Sequence, residues 1–322
     1  MSIPAKNSNK NLASISLDLD NKWSYLKVHG TPGWDRFPTY LDIFIPQVLD
    51  ELKKLGLSIT FFIVGQDAVL EQNREALKLL TVMGHEVGNH SYHHEPWFHL
   101  YSKEQIKEEV KRTHNLILEI TGQAPVGFRG PGYSWSRDLF EILAENHYLY
   151  DSSSLPTYLG PLARLYFFWT SKLSQEEREK RSELFGGFRE GFRPVKPYFW
   201  HLPSDRLFLE IPVTSTPIFK MPFHMSYLGY LASYSESLMR NYLRFAIALC
   251  KMGGFGPSFL LHPLDFLDAE QAPELAFFPA MTLSRDKKIR LFRDVIEILS
   301  RHFNLVGMRT LAQSIQESHR KK

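Results

Sequence analysis

The chain has a single cysteine in 322 residues, so it can form no internal disulfide, and the stapled frameworks of small secreted domains are excluded. Cys250 lies in the apolar, helix-like segment "RFAIALCKMG" and is expected to be a core residue in a reducing compartment. No run approaches the roughly 20 apolar residues that span a bilayer. The opening "MSIPAKNSNKNLAS" holds no apolar stretch of signal-peptide length, so we expect no Sec export and a cytoplasmic location. A Gly-rich phosphate loop is missing too. "GGFGPS", Gly253 to Ser258, precedes a β-like run instead of joining strand to helix, and it reads as a turn; no nucleotide cofactor is implied. Neither sign of charge dominates: 38 Lys and Arg are interleaved with 35 Asp and Glu, for a net charge of +3, which argues against nucleic acid as a partner.

Apolar residues are plentiful, with 43% hydrophobic and 14% aromatic content, enough to bury a large core. From Ile15 to about Ser154, short β-like runs alternate with amphipathic helical ones, the pattern of a parallel α/β fold. The runs are "ISLDLD", "SITFFIVG", "HEVGNHS", "VGFRGP" and "YLYDSS". Between Ser102 and Ile120 a Ser-x-x-Gln capping box opens a helix with apolar residues at Ile106, Val110, Leu116, Ile117 and Ile120. The rhythm resumes with "LFLEIPV", a helix around Ser235 to Lys251, "PSFLLH", a helix around Ser284 to His302, and "NLVGM". Seven to eight strands fit a distorted parallel (β/α) barrel of one domain spanning 1–322, with polar residues at the C-terminal strand ends, where barrel active sites form.

Two carboxylates, Asp18 and Asp20, close the first run. Residues two apart on a strand share a face, so these two would sit together while Leu17 and Leu19 pack on the other side. Like charges that close need a cation, a proton or solvent between them. In "GHEVGNHSYHHEPW", His90 and His94 are four apart, and one helical turn after the strand would send both imidazoles to one side. His93 should point away, and His85 could orient a neighbour. Asp20, His90 and His94 together offer one oxygen and two nitrogens, which suits a divalent transition metal with a position left for water. Asp18 would then be the base beside that water.

The motifs "LDLDNKW", "NHSYHH", "FRGPGYSW", "YDSS", "LEIPV" and "FLLHPLDF", in this order, resemble the polysaccharide deacetylase family, also called carbohydrate esterase family four. The resemblance covers Ile15 to Ser153 closely and Leu207 onward more loosely. It implies a distorted (β/α) barrel that hydrolyses an N-acyl group, acetyl or formyl, from an amino sugar with a divalent metal, zinc first and cobalt or nickel next. It further implies Asp18 as general base, Asp20, His90 and His94 as metal ligands, and Arg129 as the partner of the base. Pro131 and Tyr133 would shape the groove, with the Tyr133 backbone N–H as an oxyanion donor, and His262 would protonate the leaving amine. Glu210 and Asp265 are candidates for the acid that orients His262. The Asp-x-Asp spacing departs from the commoner adjacent pair and matches a subset of the family that includes enzymes acting on other substrates.

Other readings of the same residues are hydrolysis of a ureide or cyclic imide, and a silent glycan-binding barrel. Leu155 to Asp205, aromatic and charged, reads as an insertion. Its "YLGPLARLYFFW" is about half a bilayer span in length, and Arg178, Lys180, Arg181, Arg189, Arg193 and Lys196 follow it. The insertion is expected to be either a lid or a membrane-surface element, the latter placing the protein peripherally at the inner face, on a lipid-linked sugar.

Overall fold

The structure, a computed structural model, describes residues 10–161, 165, 175–180 and 187–321. Of the aromatic and basic insertion, Phe167, Phe168, Trp169 and Arg181 lie outside the described residues. Among the described residues, nine strands form one sheet: β1 (Leu12–Asp18), β2 (Thr60–Ile63), β3 (Glu86–Asn89), β4 (Gly127–Phe128), β5 (Tyr150–Asp151), β6 (Tyr198–His201), β7 (Leu207–Glu210), β8 (Ser258–Leu261) and β9 (Asn304–Val306). Their order is β6-β7-β5-β4-β3-β2-β1-β8, with β9 also on β1. Every pairing is parallel except that of β6 with β7. The sheet curls back on itself, because the Thr214 N–H beyond β7 donates to the Ser258 carbonyl at 3.1 Å. This is the expected distorted α/β barrel.

Each of the eight β-like runs holds a strand. The ninth, β6, falls within the segment expected to be an insertion, and there "YFWHLPSDRLFLE" forms an antiparallel hairpin. Its turn is closed by Leu202 N–H on the Arg206 carbonyl and Asp205 N–H on the Leu202 carbonyl, with Asp205 at φ 57°. Two aromatic or β-branched runs around Pro-Ser-Asp are a hairpin signal.

The alternation in β1 builds two environments. Ile15, Leu17 and Leu19 join Phe61, Ile63, Phe259 and Leu261 in the main apolar core. On the other face, Ser16 and Asp18 meet Arg129 inside the barrel. The helix Lys103–Thr121 has the expected reciprocal cap, Gln105 N–H to Ser102 Oγ and Ser102 N–H to Gln105 Oε1 at 2.8 Å. The helices Glu236–Met252 and Arg285–His302 fall where apolar spacing places them, and Cys250 is buried as a free thiol. Among the described residues, no helix is long and apolar enough to cross a membrane.

Candidate active site

Strand register, more than sequence proximity, assembles the site. Leu17 of β1 pairs with Leu261 of β8, so Asp18 and His262 leave adjacent strands at the same level. Asn89 of β3 pairs with Phe128 of β4, which brings His90 beside Arg129. Phe128 pairs with Asp151 of β5, and Asp151 with Glu210 of β7. The polar residues therefore ring the C-terminal mouth of the barrel.

Arg129, fully buried, is the hub. Its Nη1 donates to Asp18 Oδ1 at 2.6 Å and to Ser16 Oγ at 3.0 Å, its Nη2 to Ser152 Oγ at 2.9 Å, and its Nε to the Ser152 carbonyl at 3.1 Å. The guanidinium lies 4.4 Å over the Phe62 ring. Ser16 and Ser152 complete a cradle that the sequence reading left out; Ser16 could have been found from its period-two relation to Asp18.

Asp20 Oδ1 lies 2.9 Å from His94 Nε2 and 3.3 Å from His90 Nε2. The ligand atoms of the three residues all fall within 4.8 Å of one another. Nδ1 of His90 is 2.6 Å from the Arg129 carbonyl. A carbonyl only accepts, so this nitrogen carries the proton, and in the neutral ring the Nε2 lone pair faces the Asp20 carboxylate. Two acceptors at that separation require a cation or a proton between them, and this donor set fits a divalent metal. The charges point the same way. Burial opposes ionisation of Asp20, yet His94 and His90 hold its carboxyl well below the usual range. Burial likewise disfavours a charged His90, but the carboxylates of Asp18 and Asp20 outweigh it and raise its pKa.

The two histidines do not converge through a helical turn. Ser91 at φ 59° and His94 at φ 53° are both left-handed, and this bent loop swings His94 back onto Asp20. A bulky residue held there is strained, a feature that clusters at functional loops. Trp23 packs edge-on to His94 at 6.4 Å, and its indole N–H donates to buried Asp67 at 2.8 Å. His93 points away and pairs with Glu109. His85 accepts the Ile59 N–H at 3.2 Å, burial pushing its pKa down to about 4; its partner is backbone, away from the ligands.

Three expected roles meet a different geometry. The Tyr133 N–H is already engaged, donating to the Gly130 carbonyl at 3.1 Å within the short turn Pro131–Tyr133, where Gly132 and Tyr133 are left-handed. It is not a free oxyanion donor. The turn is tight at Gly130, where a Cβ would fall 1.9 Å from the Ser134 carbonyl oxygen. Glu210 does not face the His262 ring. It accepts the Ser154 N–H at 3.1 Å and the Trp200 indole N–H at 3.4 Å, and it interacts with Asp151. Asp265 accepts the backbone N–H of His262 at 2.7 Å, whereas the ring Nδ1 lies 3.1 Å from Ser226 Oγ.

The fold and this cluster define a class: an α/β barrel with an acid-and-histidine centre at the C-terminal ends of its strands. Residues 34–150 match the family model described as polysaccharide deacetylase. The chain is 32% identical over 112 residues to a peptidoglycan deacetylase of Helicobacter pylori, a match covering 35% of this chain and 37% of that protein. Over 88 residues it is 31% identical to a peptidoglycan-N-acetylglucosamine deacetylase of Bacillus cereus, covering 27% and 31%. It thus spans about a third of the length of these curated relatives. A crystal structure from Mycobacterium smegmatis, whose polysaccharide deacetylase designation is provisional, shares the fold with TM-score 0.59 at 18% identity, covering 98% of this chain and 94% of that one. Through this segment the chain is similar to the polysaccharide deacetylase family.

Proposed function

We propose that the protein is a metal-dependent hydrolase that removes an N-acyl group, most simply acetyl, from an amino sugar of a glycan. One observation carries this reading: the ligating atoms of Asp20, His90 and His94 converge beside the Asp18–Arg129 pair, and β1–β8 register sets His262 at the same level. The peptidoglycan deacetylases among its relatives support an N-acetylated sugar of that kind as the substrate class.

A divalent cation on Asp20, His90 and His94, zinc ahead of cobalt or nickel for this mixed oxygen and nitrogen set, would supply Lewis acidity toward the acyl carbonyl. The protein's own groups do the proton work. Asp18, held by Arg129, takes a proton from the attacking water, whose oxygen bonds to the carbonyl carbon. His262, as imidazolium, gives a proton to the nitrogen as the C–N bond breaks, so the amine leaves neutral and the acyl group departs as the acid. Arg129 fixes the direction of the Asp18 carboxylate through its 2.6 Å hydrogen bond.

A narrower reading, a lipid-linked or amphiphilic amino sugar met at the cytoplasmic membrane face, is supported by the exposure of Phe188, Phe192, Ile218 and Phe219. Lys220, in the same loop as Phe219, donates to the Arg193 carbonyl at 2.6 Å and so joins the two segments. The deciding experiment measures acetate and formate release from a panel of N-acyl sugars, soluble and lipid-linked, before and after chelation, with a ureide and a cyclic imide as controls. Metal-dependent release from an N-acyl sugar is expected; turnover of the ureide or imide alone would overturn the reading.

A further inference from the structure

The two histidines of the metal cluster are held in different ways. His90 gives its Nδ1–H to the Arg129 carbonyl at 2.6 Å, and this bond fixes the ring. His94 Nδ1 is buried with no hydrogen-bond partner among the described residues, so on that side the ring is placed by packing. Its ring neighbours are His90, at 5.0 Å, and Trp23, edge-on at 6.4 Å. Trp23 is itself fully buried, and its indole N–H is pinned on Asp67 Oδ1 at 2.8 Å.

The same Asp67 oxygen accepts Asn21 Nδ2 at 2.7 Å. Asn21 directly follows Asp20, and every polar atom of its side chain is used. Its Oδ1 accepts the Lys22 N–H at 2.8 Å, capping the helix Lys22–His29, and the Tyr40 N–H at 3.2 Å, while its Nδ2 also donates to Thr39 Oγ1 at 2.8 Å. The Tyr40 hydroxyl then donates to the Asp20 carbonyl at 2.6 Å. Asp67 is secured from behind: Asn73 Nδ2 donates to its carbonyl at 3.1 Å, and Asn73 Oδ1 accepts the Thr39 hydroxyl at 2.9 Å. One buried oxygen, on the short helix Gly65–Val69 after β2, is thus common to the Asp20 and His94 arms of the cluster.

We infer that Asp67 is a positioning residue of the metal site: through Asn21 it fixes the Asp20 backbone, and through the Trp23 indole it orients the His94 ring. Partners that orient metal ligands in this way are worth about 10- to 100-fold in metal affinity. The inference rests on the reading in which Asp20, His90 and His94 bind a divalent cation. In this role Asp67 acts only as an acceptor, so an amide oxygen can stand in for the carboxylate.

The test titrates cobalt(II) into the metal-free full chain, reading affinity by calorimetry and ligand geometry by the visible spectrum. Asp67→Leu, similar in volume but without an acceptor, should weaken binding by about tenfold or more and alter the spectrum. Asp67→Asn should bind within about threefold of wild type, with the wild-type spectrum. Trp23→Phe keeps an aromatic edge against His94 and removes the indole N–H. It should weaken binding by about fivefold alone and by less than about twofold on top of Asp67→Leu, where that link is already gone. Val295→Ala, a core truncation on the helix Arg285–His302, controls for lost stability and should bind as wild type does. Wild-type affinity and spectrum in Asp67→Leu would overturn the inference, as would an equal loss in Asp67→Asn or in Val295→Ala. Should Asp67→Leu fail to fold, Trp23→Phe decides, and wild-type affinity there overturns the inference. A wild-type chain that binds no cobalt, zinc or nickel would instead contradict the metal reading, and the inference would fall with it.

Discussion

Arg129 Nη1 meets Asp18 Oδ1 at 2.6 Å with both side chains buried. Removing one member of such a pair strands the other charge in the interior, at a cost of roughly 3–5 kcal/mol. Arg129→Met should therefore lower the unfolding free energy in urea by about that much, and adding Asp18→Asn should recover part of it. A single variant as stable as wild type would show that the buried pair is not an essential contact of the folded state.

The leaving-group acid is tested at His262. His262→Ala should lower kcat by on the order of a hundredfold or more, with a much smaller rise in KM. A folded variant with near-normal turnover would make His262 a wall residue.

Asp151 and Glu210 face each other across β5 and β7, fully buried. Burial and the neighbouring carboxylate raise Asp151 well above the usual range, and burial raises Glu210. Such a pair is held by a shared proton. Glu210→Gln, which keeps a polar group there, should change stability by less than about 1 kcal/mol, whereas Glu210→Ala should cost about 2–3 kcal/mol by taking their acceptor from the Ser154 and Trp200 N–H groups. Equal losses in both would mean that the pair needs a negative charge.

Asp67 accepts Asn21 Nδ2 at 2.7 Å and the Trp23 indole N–H at 2.8 Å, while its other oxygen is buried without a partner. Burial pushes its pKa from 3.8 up to about 7. The folded state then holds a proton that the unfolded chain releases above pH 3.8, so this contribution is complete below that pH and fades as pH rises to about 7. The ceiling is about 4 kcal/mol. Asp67→Asn should flatten the decline in urea stability between pH 5 and 8; an identical slope in both proteins would assign the decline elsewhere.

Much of this site is legible in the sequence because strand periodicity and the strand-end position of active sites are general. Asp18, Asp20, His90, His94, Arg129 and His262 all follow or end strands that their apolar neighbours announce. The local reason for His90 and His94 was not legible: spacing suggests a helical turn, whereas left-handed Ser91 and His94 do the work. The β6 hairpin carries its own turn signal, Pro203 to Asp205, inside a segment whose charged and aromatic neighbours read as an insertion. Ser226 gives no signal at all, being one hydroxyl in the apolar "FHMSYLGY" that only tertiary packing brings to the ring. The engaged Tyr133 N–H depends on the backbone of Gly130 to Tyr133, which residue type does not fix.

The central claim is that Asp20, His90 and His94 hold a divalent metal while Asp18 acts as the base beside it. The direct test pairs metal analysis with acetate release from an N-acetylated amino-sugar oligomer. Wild type should carry close to one divalent ion per chain, and His90→Ala or His94→Ala should lose it. Asp18→Asn should keep the ion and lose turnover by about a hundredfold or more. Loss of the ion in Asp18→Asn with retention in Asp20→Asn, or full turnover by Asp18→Asn, would contradict the account.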